Sequence, residues 1–120
     1  DITIRVGAII VATGFKSFDP GGIKRYGYKK IDNIYSAMEI ERMFASNGPT
    51  QGQIVLKNGQ QPKSIAIINC VGREEKGYCS SICCMSALKV AHFAKHKLPE
   101  IKIAQFYTDL CIPGKAYQKF

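Results

Sequence analysis

The sequence predicts an α/β fold built around one strand-helix-strand unit with a parallel sheet. Residues 65–68 form a short, uninterrupted apolar run, which is typical of a buried strand. Residues 80–97 carry apolar side chains at helical spacing, and Pro99 limits this helix at its far end. Ile101, Ile103 and Phe106 predict another strand, in which Ala104 is also apolar. Because strand, helix and strand follow one another over roughly 30 residues or more, they predict a right-handed parallel crossover of the Rossmann-like kind.

A further strand is predicted at the beginning of the chain. Residues 2–6 alternate between apolar and polar side chains, a period of two that is typical of a half-buried strand. The chain then becomes continuously apolar over residues 8–12, which suits an interior parallel strand covered on both faces. Thr13-Gly14 ends this run. Residues 15–32 show no sustained periodicity, so we expect an ordered loop anchored by its aromatic side chains.

The middle of the chain predicts a short helix near 36–46. Ser36 and Glu39 have the spacing of a capping box, in which each side chain satisfies a free backbone donor at the helix start. Asn47-Gly48-Pro49 stops the helix. Residues 53–56 and the Asn58-Gly59 turn then predict a small strand or hairpin, or a linker between two subdomains.

Composition excludes several classes of function. The chain has 120 residues, 17 Lys plus Arg against 9 Asp plus Glu and a net charge of +8, but its lysines are scattered. Scattered charges favour a solvated surface over nucleic-acid binding. No apolar run approaches the ~20 residues of a membrane span, and none is followed by a cleavage pattern. An odd number of cysteines, two of them adjacent, favours a reducing, cytoplasmic setting.

Four of the five cysteines, Cys70, Cys79, Cys83 and Cys84, fall within fifteen residues, directly after the first strand of the crossover and at the start of its helix. An iron–sulfur cluster needs several thiolates converging on one small volume, usually four for a cubane. Cys79 and Cys83 are four positions apart, so on a helical turn their sulfurs would share one face. The positive end of the helix would favour thiolates. Zinc is the rival ion, because four thiolates also suit tetrahedral Zn²⁺.

Other interpretations are disfavoured. Cysteines are often core residues, but four so close together argue against that role. The vicinal pair Cys83-Cys84 could form only a strained disulfide. Cys111 stands apart and is expected to be structural or free. His92 and His96 are spaced i, i+4 but lack the glutamate of an HExxH site, so we expect a solvated or packing role. The chain has no GxGxxG or Walker loop, which disfavours an intact dinucleotide-binding enzyme domain.

Several stretches of the sequence together carry a resemblance to a known family. The run Val6–Phe15 looks like the ATG-type strand of flavoproteins with two dinucleotide-binding domains. The CVGR stretch at Asn69–Arg73 and the CxxxCC stretch at Tyr78–Met85 are the more specific features. Phe106–Asp109 and Gly114–Tyr117 extend the similarity, which runs through nearly the whole chain. Together these stretches resemble the A subunit of heterodisulfide reductase.

The resemblance implies an internal segment of a larger iron–sulfur flavoprotein that carries FAD and several [4Fe-4S] clusters. Residues 1–60 would end the FAD-domain section, and residues 61–120 would begin a second dinucleotide-like domain that carries the cysteines. Cys70, Cys79, Cys83 and Cys84 match a cluster-binding set. Residues 12–14, Ala12-Thr13-Gly14, match the flavin-proximal turn.

The function expected from these observations is electron transfer. The four cysteines would hold a [4Fe-4S] cluster near the FAD of the full-length protein and pass electrons toward partner subunits and electron carriers. The chain alone would perform no substrate chemistry. The alternative is a zinc-stabilised structural or docking module whose basic surface meets an acidic partner.

Overall fold

The computed structural model describes residues 1–117 and has α/β architecture. Two strands, β1 (Ser64–Ile68) and β2 (Lys102–Phe106), pair in parallel to form a two-stranded sheet within this part of the chain. Their register aligns Ser64 with Lys102 and Ile68 with Phe106. The ladder continues one residue further, because the Asn69 N–H donates to the Phe106 carbonyl at 2.8 Å. The predicted parallel sheet is confirmed, and both strands end at the same edge.

The connection between the strands contains two helices, α2 (Arg73–Lys76) and α3 (Cys83–Lys97). The buried residues of α3 are Cys84, Ala87, Val90 and Ala94. They recur every three or four positions and therefore form one stripe along the helix. At its far end, the Leu98 N–H donates to the Ala94 carbonyl at 2.8 Å. The helix predicted over 80–97 is confirmed, although it begins at Cys83.

Helix α1 (Ala37–Phe44) packs against α3. The Phe44 and Phe93 rings lie 5.8 Å apart between centroids and are tilted by 48°. An ion pair between Glu41 and Lys89 also joins the two helices. Met43 is the buried residue of α1. The predicted helix near 36–46 is therefore confirmed, and tertiary packing stabilises it beyond its local signals.

The capping box predicted at the start of α1 is present. The Ser36 N–H donates to Glu39 Oε2 at 2.7 Å, and the Glu39 N–H donates to Ser36 Oγ at 3.4 Å. The Tyr28 hydroxyl donates to the same carboxylate at 2.9 Å. Burial opposes ionisation of Glu39, but the hydrogen bonds from Ser36 and Tyr28 outweigh it and lower the pKa of Glu39 below its ordinary 4.5.

We expect Ser36→Ala to lower the free energy of unfolding by about 0.5–2 kcal/mol, the usual effect of removing a helix cap. A carboxyl with a lowered pKa stabilises the folded state above its ordinary pKa and loses that contribution as pH falls through the folded pKa. The cost of Ser36→Ala should therefore be largest above pH 4.5 and shrink in more acidic solution. Urea unfolding at several pH values measures it, and a cost that grew with acid would contradict this account.

The strand predicted at the beginning of the chain is absent. Residues 1–13 have no helix or strand, and their apolar side chains are exposed, with Ile2 at 89% and Ile10 at 91%. A strand needs a neighbouring strand for its backbone hydrogen bonds, and neither β1 nor β2 pairs with this segment. The apolar–polar alternation of residues 2–6 is therefore present in the sequence, but neither strand of the sheet pairs with it.

The segment after α1 forms turns instead of a strand pair. The Leu56 N–H donates to the Gln60 carbonyl at 2.8 Å, so the chain does reverse around Asn58-Gly59. No residue from 53 to 56 is in a strand, although Ile54 is buried. None of the helices in the described part of the chain has both the length and the apolar character needed to cross a bilayer.

Candidate cluster site

The candidate site lies at the edge of the sheet where β1 and β2 both end. Parallel strands place their carboxyl ends at one edge, and the loops that leave those ends meet there. The β1 loop carries Cys70, whereas the segment after β2 carries Asp109 and Cys111. These two segments are 39 positions apart at the Cys70–Asp109 contact. The sheet therefore joins parts of the chain that are distant in sequence.

Two of the four candidate cysteines converge on one backbone carbonyl. The Cys70 and Cys84 thiols each lie 3.9 Å from the Asp109 carbonyl oxygen. Cys70 has φ of 59°. This left-handed conformation is uncommon for a residue with a side chain. The turn at Cys70 and the start of α3 thus direct two sulfurs to the same point.

Cys84 is the most enclosed thiol, with 1% of its surface exposed. Its sulfur accepts a hydrogen bond from the Cys111 N–H at 3.4 Å and a longer one from Asn69 Nδ2 at 3.9 Å. Burial raises the pKa of the Cys84 thiol, and the neighbouring Cys83 and Cys70 raise it further. Backbone N–H groups directed at sulfur are the kind of contact that tunes iron–sulfur clusters.

Cys70 has the opposite electrostatic environment. Backbone hydrogen bonds with Asp109 and Thr108 lower the pKa of the Cys70 thiol, and the Arg73 side chain contributes in the same direction. Arg73 Nη1 is itself 2.6 Å from Asp109 Oδ2. The pKa of the Cys70 thiol is therefore shifted downward and that of the Cys84 thiol upward within the same site.

Cys79 and Cys83 do not share a helical turn, so that prediction is wrong. Helix α3 begins at Cys83, and Cys79 lies in the preceding loop, where its sulfur accepts the Ser81 N–H at 3.4 Å. Ser81 has φ of 61°, which turns the chain before the helix can begin. Cys83 interacts with Cys84, its neighbour in sequence.

The donor set fits an iron–sulfur cluster in its chemistry. All five cysteines are free thiols, and soft thiolates are the ligands that such clusters take. Within residues 1–117, no three Cys, His, Asp or Glu side chains are already arranged around a single metal position. The fit thus rests on ligand type, on the Cys70–Cys84 convergence and on the N–H donors around Cys84.

The remaining predicted site residues lie apart from this arrangement. Ala12, Thr13 and Gly14 are exposed on the segment that lacks secondary structure. Both histidines lie on α3, and neither belongs to a metal-ligating group within the described residues.

Sequence reasoning missed a second set of residues that surrounds the thiols. These residues are Asn69, Arg73, Asp109 and Cys111. Cys111 is predicted to be structural or free, and its thiol is free, but its backbone N–H contacts Cys84. Their place in the sequence could have indicated two of them. Asp109 and Cys111 follow the second strand of the crossover, and the carboxyl ends of parallel strands lie at one edge.

The loop over residues 15–32 packs at Gly72 on the segment that carries the cysteines after β1. Gly72 has φ of +84°, and a Cβ built there would lie 2.7 Å from the Phe18 ring. The Arg25–Glu74 ion pair, at 3.2 Å, holds the same two segments together. The ordered loop predicted for 15–32 therefore contacts the candidate site through the Phe18 ring, which packs against the backbone of Gly72.

We expect Gly72→Ala to destabilise the chain by about 1–3 kcal/mol, because it combines an unfavourable backbone conformation with displacement of Phe18. Gly77→Ala is the matched control, since Gly77 has φ of +74° and a Cβ placed on it would have nothing within 4 Å. Urea unfolding of both variants measures the difference. Equal losses would show that Phe18 contributes nothing and that only backbone conformation matters.

The chain is similar over its whole length to known proteins that share one description. The chain is 41% identical over 125 residues to the A subunit of the H2:CoB-CoM heterodisulfide,ferredoxin reductase of Methanothermobacter thermautotrophicus, covering 100% of the chain and 19% of that protein. It is 41% identical over 128 residues to the iron-sulfur A subunit of a CoB-CoM heterodisulfide reductase of Methanopyrus kandleri. This match covers 100% of the chain and 19% of that protein. By sequence, this chain matches one segment of the heterodisulfide reductase A subunit.

A third A subunit has the same relationship. That of the ferredoxin/F420H2-dependent CoB-CoM heterodisulfide reductase of Methanosarcina acetivorans is 38% identical over 125 residues, covering 100% of the chain and 16% of that protein. The chain thus spans about a fifth of the length of the first two of these relatives. No family model matches. The resemblance predicted from the CVGR and CxxxCC motifs is confirmed.

Proposed function

We propose that this chain is an electron-transfer segment of a protein of the heterodisulfide reductase A-subunit type. Cys70, Cys79, Cys83 and Cys84 would hold a [4Fe-4S] cluster at the carboxyl edge of the sheet. The observation that carries the proposal is the convergence of the Cys70 and Cys84 thiols on the Asp109 carbonyl, each at 3.9 Å. The name of the Methanopyrus relative, which calls it an iron-sulfur protein, supports the same assignment.

The cysteines would act as ligands, and the groups around them would set their chemistry. When bound, the cluster supplies one-electron redox chemistry. The hydrogen bonds and Arg73 favour the thiolate of Cys70, whereas enclosure of Cys84 excludes water from its sulfur. The Cys111 N–H would remain directed at the Cys84 sulfur and compensate part of its negative charge.

The wider organisation belongs to the same proposal. Residues 1–60 would be the end of an FAD-domain section, and residues 61–120 the start of a second dinucleotide-like domain. Residues 118–120 of this second domain lie outside the described residues. In the full-length protein, Ala12, Thr13 and Gly14 would lie at the flavin. The full-length protein would exchange electrons with partner subunits and electron carriers of a cytoplasmic heterodisulfide reductase complex.

Anaerobic reconstitution with iron and sulfide tests the cluster. We expect about four iron and four sulfide ions per chain, the content of a cubane, and an electron paramagnetic resonance signal after reduction with dithionite. Zinc bound without acid-labile sulfide would instead support a structural metal site. A folded chain that binds neither metal would overturn both assignments.

A further inference from the structure

Asp109 connects the thiols to a charged side chain. Its backbone carbonyl contacts the Cys70 and Cys84 sulfurs, whereas its carboxylate pairs with Arg73 at 2.6 Å. Arg73 is the first residue of α2 and lies three positions after Cys70. The ion pair therefore ties the β1 loop to the segment that follows β2, immediately beside the candidate ligands.

The two charges of this pair act on the thiols in opposite directions. Asp109 is the main cause of the raised pKa of the Arg73 guanidinium, and Cys70 and Cys79 contribute to it in the same direction. The Asp109 carboxylate lies on the same residue as the carbonyl that both sulfurs contact. A cluster gains one negative charge when it takes up an electron, so a nearby cation favours the reduced form and a nearby anion favours the oxidised form.

We propose that Arg73 and Asp109 form a balanced charge pair that sets the reduction potential of the cluster held by the four cysteines. Both are positioning residues, because they act on the cluster through the thiolates. This inference rests on the proposed function. Arg73 and Asp109 are partly exposed, so solvent screens the effect and keeps it moderate.

Removing one partner leaves the other charge uncompensated. We expect Arg73→Gln to lower the ratio of reduced to oxidised cluster at a fixed potential by up to about tenfold, or about 59 mV for a one-electron couple. Asp109→Asn should raise that ratio. The double variant Arg73→Gln/Asp109→Asn should return close to the wild type, as a charge pair requires in a double-mutant cycle.

Arg25→Gln is the matched control. Arg25 pairs at 3.2 Å with Glu74, which lies next to Arg73 on α2. The Arg25 guanidinium also contacts the Tyr26 hydroxyl rather than a sulfur. This variant removes the same charge from the chain and should leave the potential unchanged. Arg73→Lys keeps the charge at the site and should remain closer to the wild type than Arg73→Gln.

The measurement is a dithionite titration of the anaerobically reconstituted whole chain, followed by electron paramagnetic resonance, with iron and sulfide content determined for each variant. Opposite shifts for Arg73→Gln and Asp109→Asn support the inference. So does loss of iron from Arg73→Gln alone, with Arg73→Lys still loaded.

Three results would overturn the inference. Unchanged potentials in loaded single variants would show that the charges have no effect, and shifts of the same sign would indicate structural disturbance. Loss of iron from both Arg73→Gln and Arg73→Lys, with Arg25→Gln still loaded, would also show that charge is not the cause. A folded wild-type chain without iron would instead remove the proposed function, and this inference with it.

Discussion

Cys84→Ala is expected to remove most of the iron and sulfide that the reconstituted chain binds. Cys84 is the most enclosed of the candidate ligands, and its sulfur contacts the segments after both strands. Removing even an outer-shell partner of a metal ligand typically costs about 10–100-fold in affinity, and removing the ligand should cost at least as much. Iron and acid-labile sulfide per chain measure the loss.

Cys111→Ala is the matched control for this prediction. It removes a thiol from the same site, but it preserves the backbone N–H that donates to Cys84. We expect this variant to retain its cluster, and circular dichroism should show that both variants keep the wild-type helix content. Equal retention of iron by the two variants would contradict the role of Cys84, whereas equal loss would make Cys111 a ligand.

Ile101→Ala is expected to lower the free energy of unfolding by about 2–5 kcal/mol, the usual range for truncating a buried isoleucine. Ile101 is 3% exposed and immediately precedes β2. Small domains have a total stability of only about 5–15 kcal/mol, so this loss is a large part of the whole. Urea unfolding monitored by circular dichroism measures it.

Ile68→Ala provides the comparison, because Ile68 ends β1 and is 51% exposed. The same carbon atoms are removed, but about half of the surface of Ile68 already contacts water. We expect its cost to be well below that of Ile101→Ala, on the order of 1 kcal/mol. Similar losses in the two variants would show that the difference in burial between Ile101 and Ile68 does not govern their contributions to stability.

The local elements follow from nearby residues. The capping box of Ser36 and Glu39 is a contact over three positions, and the reversal at Asn58-Gly59 is also local. Strand β1 is predicted by an uninterrupted apolar run, β2 by the apolar residues among 101–106, and α3 by its helical spacing. In each case, the residues that provide the signal are the residues that form the element.

Two predictions made from local patterns are wrong. The apolar pattern of residues 1–12 is that of a strand, but a strand forms only where a neighbour completes its hydrogen bonds. Cys79 is predicted on the same helical turn as Cys83, but the turn at Ser81 delays the helix. Sequence patterns describe what a segment can form, whereas tertiary partners and neighbouring turns decide whether it forms.

The sequence by itself determined the α/β class, the parallel crossover and the concentration of thiols from the end of β1 to the first turn of α3. It also carried the similarity to the A subunit of heterodisulfide reductase in the CVGR and CxxxCC motifs. These properties depend on residue types and short spacings, which are local properties of the chain.

Only the tertiary structure decided what surrounds the thiols. Asp109 lies 39 positions from Cys70 and 25 from Cys84, and Arg73 lies 36 positions from Asp109. Their contacts arise because parallel pairing of β1 with β2 brings both strand ends to one edge. No periodicity in the sequence predicts these contacts, because they depend on the register of the sheet and on the conformation of each loop.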